Sequence, residues 1–161
     1  MAKSGPGTPA TAALTAAGIP FTSHTYEHDP RTDSYGLEAA DALGLDPASV
    51  FKTLVVDIDK KACVAIVPVT TLVDLKAIAR AGSGRTAELT DPQVAQRLTG
   101  YVVGGISPIG QRKQLPTYLD ESARSLQVMY VSGGRRGFDI GLAPDDLQRI
   151  TDATWAPIAR N

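Results

Sequence analysis

Lys52 is the residue of this 161-residue chain whose setting points most directly to chemistry. Along the extended segment 51–58, strand alternation puts it on the same face as Leu54, Val56 and Ile58. An ammonium ending an apolar row has two readings. It snorkels to water at the strand end, or it sits by a carbonyl or anion, where desolvation disfavours its charge and suits it to polarising a substrate. Thr53 points to the opposite face and can share a site with Lys52 only where the strand edge is open.

Two glycine-rich segments are the next candidates. Gly104-Gly105-Ile106-Ser107-Pro108-Ile109-Gly110 follows an apolar stretch and would let backbone N–H groups approach a carbonyl or phosphate, or simply turn the chain. No Gly-Lys-Ser/Thr follows it, and its spacing is wrong for Gly-x-Gly-x-x-Gly, which argues against nucleotide binding of either kind. Ser132-Gly133-Gly134-Arg135-Arg136-Gly137 is read as a second loop between short strands, with Asp139 just beyond it. Each segment carries a basic pair, Arg112-Lys113 and Arg135-Arg136. Backbone donors beside paired cations suit a phosphodiester more than a neutral metabolite, and these four cations are the candidate RNA contacts.

Other constellations carry less. His24 and His28 on one extended strand stand roughly 13 Å apart, too far to share a metal. Cys63 is the only cysteine and lies in an apolar strand, so it reads as a core thiol and excludes an internal disulfide or a multi-cysteine metal site. Neither Ser107 nor Ser132 sits in a Gly-x-Ser-x-Gly elbow, and no hydrolytic triad is recognisable.

The elements that must position these residues follow from turn and cap signals. Helices are expected over residues 8–17, 34–43, 74–81, 91–98 and 144–150, begun by Thr8-Pro9, Asp74, Asp91-Pro92 and Pro144, with glycines at 18, 44 and 82 as stops. Residues 51–58 and 62–67 read as a β-hairpin around Asp59-Lys60-Lys61, and further strands are expected over 21–26, 101–103, 117–119, 127–131 and 138–142. Helices interleaved with a tight hairpin predict a single α+β domain over residues 8–160 after a loose lead-in over 1–7. No apolar run is long enough to span a bilayer, and the chain is expected to be soluble and cytoplasmic. The formal net charge is −1, yet residues 27–59 hold eight acids against two bases while 76–136 hold nine bases against four acids.

From Thr8 to Arg160 the chain resembles the YbaK family of aminoacyl-tRNA deacylases, which are similar to the editing insertion domain of bacterial prolyl-tRNA synthetases. The matching segments are His24-Thr25-Tyr26-Glu27-His28-Asp29-Pro30, Phe51-Lys52-Thr53-Leu54, Val94-Ala95-Gln96-Arg97 with Thr99-Gly100-Tyr101, Val103-Gly104-Gly105-Ile106-Ser107-Pro108, and Val131-Ser132-Gly133-Gly134 running to Asp139-Ile140. The resemblance implies a small α+β domain with a curved, partly barrel-like mixed sheet flanked by helices, and no metal or cofactor. It is nearest to the branch that removes cysteine mischarged on proline tRNA, in which the substrate's own thiolate attacks its ester and leaves as a thiolactone. It implies catalytic roles for Lys52, Gly105 and Ser132, and substrate contacts from Tyr26, Tyr35, Thr53, Gly104, Ile106, Ser107, Gly133 and Asp139. Tyr35 stands where phenylalanine is expected. The implied partners are the acceptor end of aminoacyl-tRNA and a prolyl-tRNA synthetase, with neither DNA nor membrane. The rivals are a deacylase for another small amino acid and a non-catalytic tRNA- or synthetase-binding module.

Overall fold

A computed structural model describes residues 5–161; residues 1–4 of the expected lead-in lie outside the described residues. The cap signals are used as such. Helix α1 (Pro9–Ala17) opens with a reciprocal box, in which Thr8 Oγ1 accepts the Thr11 N–H at 3.2 Å and Thr11 Oγ1 accepts the Thr8 N–H at 2.9 Å. Thr8 Oγ1 also lies 2.5 Å from the Gly133 carbonyl, tying α1 to the far end of the chain. Gly18 (φ 70°) and Gly44 (φ 67°) close α1 and α2 (Tyr35–Leu43) in the left-handed region. Helices α3 (Leu75–Ala81) and α4 (Pro92–Thr99) are capped by the Asp74 and Asp91 carboxylates, and α5 (Pro144–Thr151) follows the last long strand.

Strand β1 (Thr22–Thr25) is shorter than the expected 21–26. The expected hairpin is β2 (Phe51–Ile58) and β3 (Lys61–Pro68), and its turn needs only Asp59 and Lys60, both at positive φ (48° and 71°). Asp59 tolerates this because its carboxylate accepts the Arg85 and Thr86 N–H groups, which also holds it below the usual carboxylate range. Short strands β4 (Leu72–Val73) and β5 (Ala87–Leu89) come next, then β6 (Thr117–Asp120), β7 (Met129–Arg135), β8 (Phe138–Leu142), β9 (Thr154–Ala156) and β10 (Ala159–Arg160).

Two expectations are corrected. Residues 101–103 form no strand: Tyr101 donates its hydroxyl to the Ile109 carbonyl at 2.7 Å, and the Val103 N–H goes to Gln96 Oε1 at 2.8 Å, so side chains hold this stretch. Nor is 132–137 a loop throughout. Strand β7 continues through Ser132-Gly133-Gly134-Arg135 with a bulge between Ser132 and Arg135, leaving Arg136 and Gly137 (φ 82°) as a tight turn.

The strands pair as β5-β2-β3-β6-β9, as β1-β8-β7, and as β10-β4. The first sheet is mixed: β2 pairs antiparallel with β3 and β5, whereas β3-β6 and β6-β9 are parallel. Its two faces are both buried, Phe51, Val55, Val64 and Ile66 packing with α1, β7 and β8, and Val56, Ile58, Cys63 and Val67 with Ile78 and Ile158. That accounts for the unbroken apolar run of β3. A single parallel bridge, Val50 to Tyr130, joins β7 to the start of β2 and so links the two larger sheets. No helix is long and apolar enough to cross a membrane among the described residues.

Candidate functional site

The Val50–Tyr130 bridge sets the site. Paired residues face the same side, so Lys52, two past Val50, and Ser132, two past Tyr130, also share a face; Asp139 joins them because it pairs with Ser132 across β7-β8. Beyond the bridge the strands part. β2 turns away to pair with β5 only at Val56, Asp57 and Ile58, and β7 continues beside β8. The wedge between them is a cavity of about 420 Å³ lined by Tyr26, Tyr35, Lys52, Thr53, Ser132 and Asp139, with Gly104 and Ile106 from the glycine segment and Val69 and Thr90 among the walls. Its size falls within the roughly 300–1,000 Å³ of small-ligand sites.

Because the strand edge is open here, Thr53 reaches the cavity although its side chain faces away from that of Lys52. The Val55 carbonyl accepts the Thr90 N–H at 3.0 Å on this edge, and ladder alternation turns the Thr53 N–H and C=O to the same side, where no strand pairs with them. Thr53 Oγ1 is buried without a hydrogen-bond partner among the described residues, which leaves a polar atom at the cavity wall.

The electrostatics follow from burial. Desolvation lowers the Lys52 pKa, and no carboxylate pairs with it among the described residues. Asp139 is 6% exposed, and burial pushes its carboxyl up to about 7. Burial, then the nearby Asp139 and Glu38 charges, push the Tyr26 phenol up to about 12. The cavity thus holds an ammonium in no ion pair, the carboxyls of Asp33 and Asp139, the latter weakly acidic, and hydroxyls, and neither a histidine nor a cysteine lines it among the described residues. Cys63 is buried in the cluster around Ile78, its thiol pushed up to about 12, so it is inert.

The remaining sequence candidates lie elsewhere. Gly105 packs against the Arg135–Arg136 backbone, where a Cβ would come within 2.8 Å, and its N–H is taken by the Val102 carbonyl at 2.8 Å. Ser107 is fully buried and its Oγ accepts the Ile109 N–H at 3.3 Å. Gly133 gives way to the Phe138 ring, which its Cβ would meet at 2.3 Å. Arg112 and Lys113 donate their N–H groups to the Thr99 and Leu98 carbonyls at the end of α4. Arg136 touches the cavity wall, its Nε donating to the Val103 carbonyl at 2.8 Å and its guanidinium lying 5.2 Å from the Tyr35 ring centroid.

Sequence reasoning missed Ser34, Leu37, Val69, Leu89 and Thr90 as cavity residues. It also missed the clasp in which Glu38 takes His28 Nδ1 at 2.9 Å and the Asp29 N–H at 2.6 Å, fixing the segment that carries Tyr26 and Tyr35. The spacing of His28 and Glu38 across a loop has no periodic signature that could have flagged it.

A family model described as "Aminoacyl-tRNA editing domain" matches residues 29–150. A curated protein of Enterococcus faecalis (strain ATCC 700802 / V583), named "Putative Cys-tRNA(Pro)/Cys-tRNA(Cys) deacylase EbsC", is 39% identical over 120 residues, covering 74% of this chain and 73% of its own. Among solved structures, one described as a "putative trans-editing enzyme for prolyl tRNA synthetase" matches with a TM-score of 0.84 at 27% identity, over 95% of this chain and 96% of the other. A hypothetical protein's crystal structure matches with a TM-score of 0.85 at 22% identity, over 95% and 100% of the two chains, a likeness of fold alone.

Proposed function

The chain belongs to the aminoacyl-tRNA editing domain family, and from that premise we propose that it is a trans-acting deacylase that removes cysteine mischarged on tRNA(Pro). The observation that carries the reading is the wedge between β2 and β7, which offers an unpaired ammonium and an open strand edge but neither histidine nor cysteine as a nucleophile system. A cavity so furnished suits a substrate that brings its own nucleophile. The relative named for Cys-tRNA(Pro) and Cys-tRNA(Cys) points to cysteine as that substrate.

In the proposed reaction the cysteinyl thiolate attacks the carbonyl carbon of its own ester. A C–S bond forms, the bond to the tRNA ribose oxygen breaks, and the proton the thiol gave up ends on that oxygen, so the ribose leaves as its alcohol. The product thiolactone then takes up water to give free cysteine. The protein supplies orientation and charge stabilisation: Lys52 faces the oxyanion, Thr53 and Ser132 offer hydroxyls, and Asp139 and Tyr26 bound the aminoacyl group. Gly104 and Ile106 shape the wall. Gly105, Ser107 and Gly133 support it from behind, which makes them positioning residues.

The acceptor end of the tRNA is the partner on this reading, and cooperation with a prolyl-tRNA synthetase in the cytoplasm is its natural setting. Incubation with Cys-tRNA(Pro), Ala-tRNA(Pro) and Ser-tRNA(Pro) tests it: rapid release from the cysteinyl ester alone is expected, because only that substrate carries a thiol. Cleavage of the alanyl ester alone would overturn the cysteine assignment, and tRNA binding without deacylation of any ester would make the protein a binding module.

A further inference from the structure

Arg136 is exposed, yet it is held at two points. Its Nε donates to the Val103 carbonyl at 2.8 Å, and its guanidinium carbon lies over the Tyr35 ring, 5.2 Å from the centroid. Tyr35 is itself immobilised. His28 stacks on it with centroids 5.6 Å apart and planes at 29°, and its ring lies flush on Gly104, where a Cβ would come within 2.7 Å. Arg136 makes no ion pair among the described residues. Tyr35, Val103 and Gly104 all line the cavity, as does Leu37, which is 44% exposed. A guanidinium that is exposed, backed by an aromatic ring and tethered at the rim of a cavity is open to a ligand on its solvent side.

The geometry points to Arg136, backed by Tyr35, as a stacking shelf for the terminal purine base of the tRNA acceptor end, with Leu37 as an apolar contact for its edge. This rests on the deacylase reading above, in which the ester lies by Lys52 and the ribose that bears it leads back out to the rim. A terminal base at the rim then meets a guanidinium plane, and Arg planes stack on unpaired bases as aromatic rings do. With Nε already donated to the Val103 carbonyl, one edge of the fork is taken and less of it remains for a bidentate phosphate, while the π-face stays available for stacking.

The test uses the full chain and two stable amide ligands, 3′-cysteinylamino-3′-deoxyadenosine and its counterpart lacking the base, titrated calorimetrically into wild type, Arg136→Lys and Arg136→Ala. Wild type is expected to bind the adenosine ligand at least tenfold more tightly than the abasic one. Both substitutions should erase that difference and leave the abasic affinity unchanged, which also shows that the variants are folded. Full retention of the difference by Arg136→Lys would show that charge suffices and would overturn the shelf. So would loss of both ligands by the variants, or a wild type indifferent to the base. If wild type binds the adenosine ligand through Arg136 but cleaves no cysteinyl ester, the shelf stands and the deacylase reading fails.

Discussion

At the scale of single residues, the site is governed by a half-buried ammonium and a buried carboxyl, neither in an ion pair among the described residues. Removing Lys52 should cost catalysis and spare the fold, because its ammonium lies half-buried without an ion pair. Lys52→Ala is expected to lower the deacylation rate about 10²–10³-fold, the effect of losing one oxyanion donor, with little change in melting temperature. A variant that keeps most of its rate would remove Lys52 from the mechanism. For Asp139 the sign runs the other way from an ion-paired carboxylate. Its folded pKa, about 7, lies above the unfolded value of 3.8, so the folded state binds the proton more tightly and stability falls as pH rises between them. Asp139→Asn removes that penalty. It should therefore be the more stable protein at pH 8, by at most about 4 kcal/mol, and lose that advantage by pH 4, as read from urea unfolding at the two values. Lys52 and Asp139 were both legible in the chain as types in suggestive places. The unsatisfied Thr53 hydroxyl was not, since its burial depends on walls contributed from far along the sequence.

At the scale of elements, the local signals were strong wherever a cap or turn decides the backbone. The Thr8 box, the Asp46, Asp74 and Asp91 caps and the glycine stops at 18 and 44 all act within four residues, so they survive in any fold. Short strands escaped notice because two or three residues carry no period. Strands β4 and β10 are a case, formed where the chain's end is pinned by a carboxylate that nothing in the sequence distinguishes. Asp120 Oδ1 accepts the Ile158 and Ala159 N–H groups, each at 3.0 Å, and Oδ2 accepts from Ser122. Asp120→Ala is expected to destabilise the protein by about 2–4 kcal/mol, because it strands buried donors beside the β10 edge. Amide exchange should show faster loss of protection at residues 158–160 than in the β2–β3 hairpin; equal loss in both would mean the clasp is not local.

At the scale of the whole molecule, the near-neutral charge conceals two different uses of charge. In the acidic stretch, Asp29, Glu38, Asp46, Asp57 and Asp59 accept hydrogen bonds from nearby backbone or side-chain donors and serve the fold. The cations of residues 76–136 form no ion pair among the described residues, which leaves them available to a polyanion. Arg112 and Lys113 lie by the end of α4, while Arg136 lies at the cavity, so few phosphates are expected to be contacted at once. Binding of tRNA should be weak and should fall with salt along a shallow slope, equivalent to about two or three phosphates in a log–log plot between 50 and 200 mM. A slope of zero would contradict a charged interface, and one several times steeper would mean that many more than three phosphates are contacted.

The helices, the β2–β3 hairpin, the side of the strand on which Lys52 stands and the family resemblance are all legible in the chain, because caps, turns and alternation act over a few residues and motifs keep their order. Which of the candidates come together depends on pairing between distant strands. A single bridge between residues 80 positions apart, Val50 and Tyr130, aligns Lys52 with Ser132 and Asp139 and then lets the strands part. Gly105, Ser107 and Gly133 fall outside the cavity lining, and Arg136 lies against Tyr35 and Val103 of its wall. Chain closure over that distance is set by the packing of both sheets on a shared core, and no local pattern of residue types encodes it.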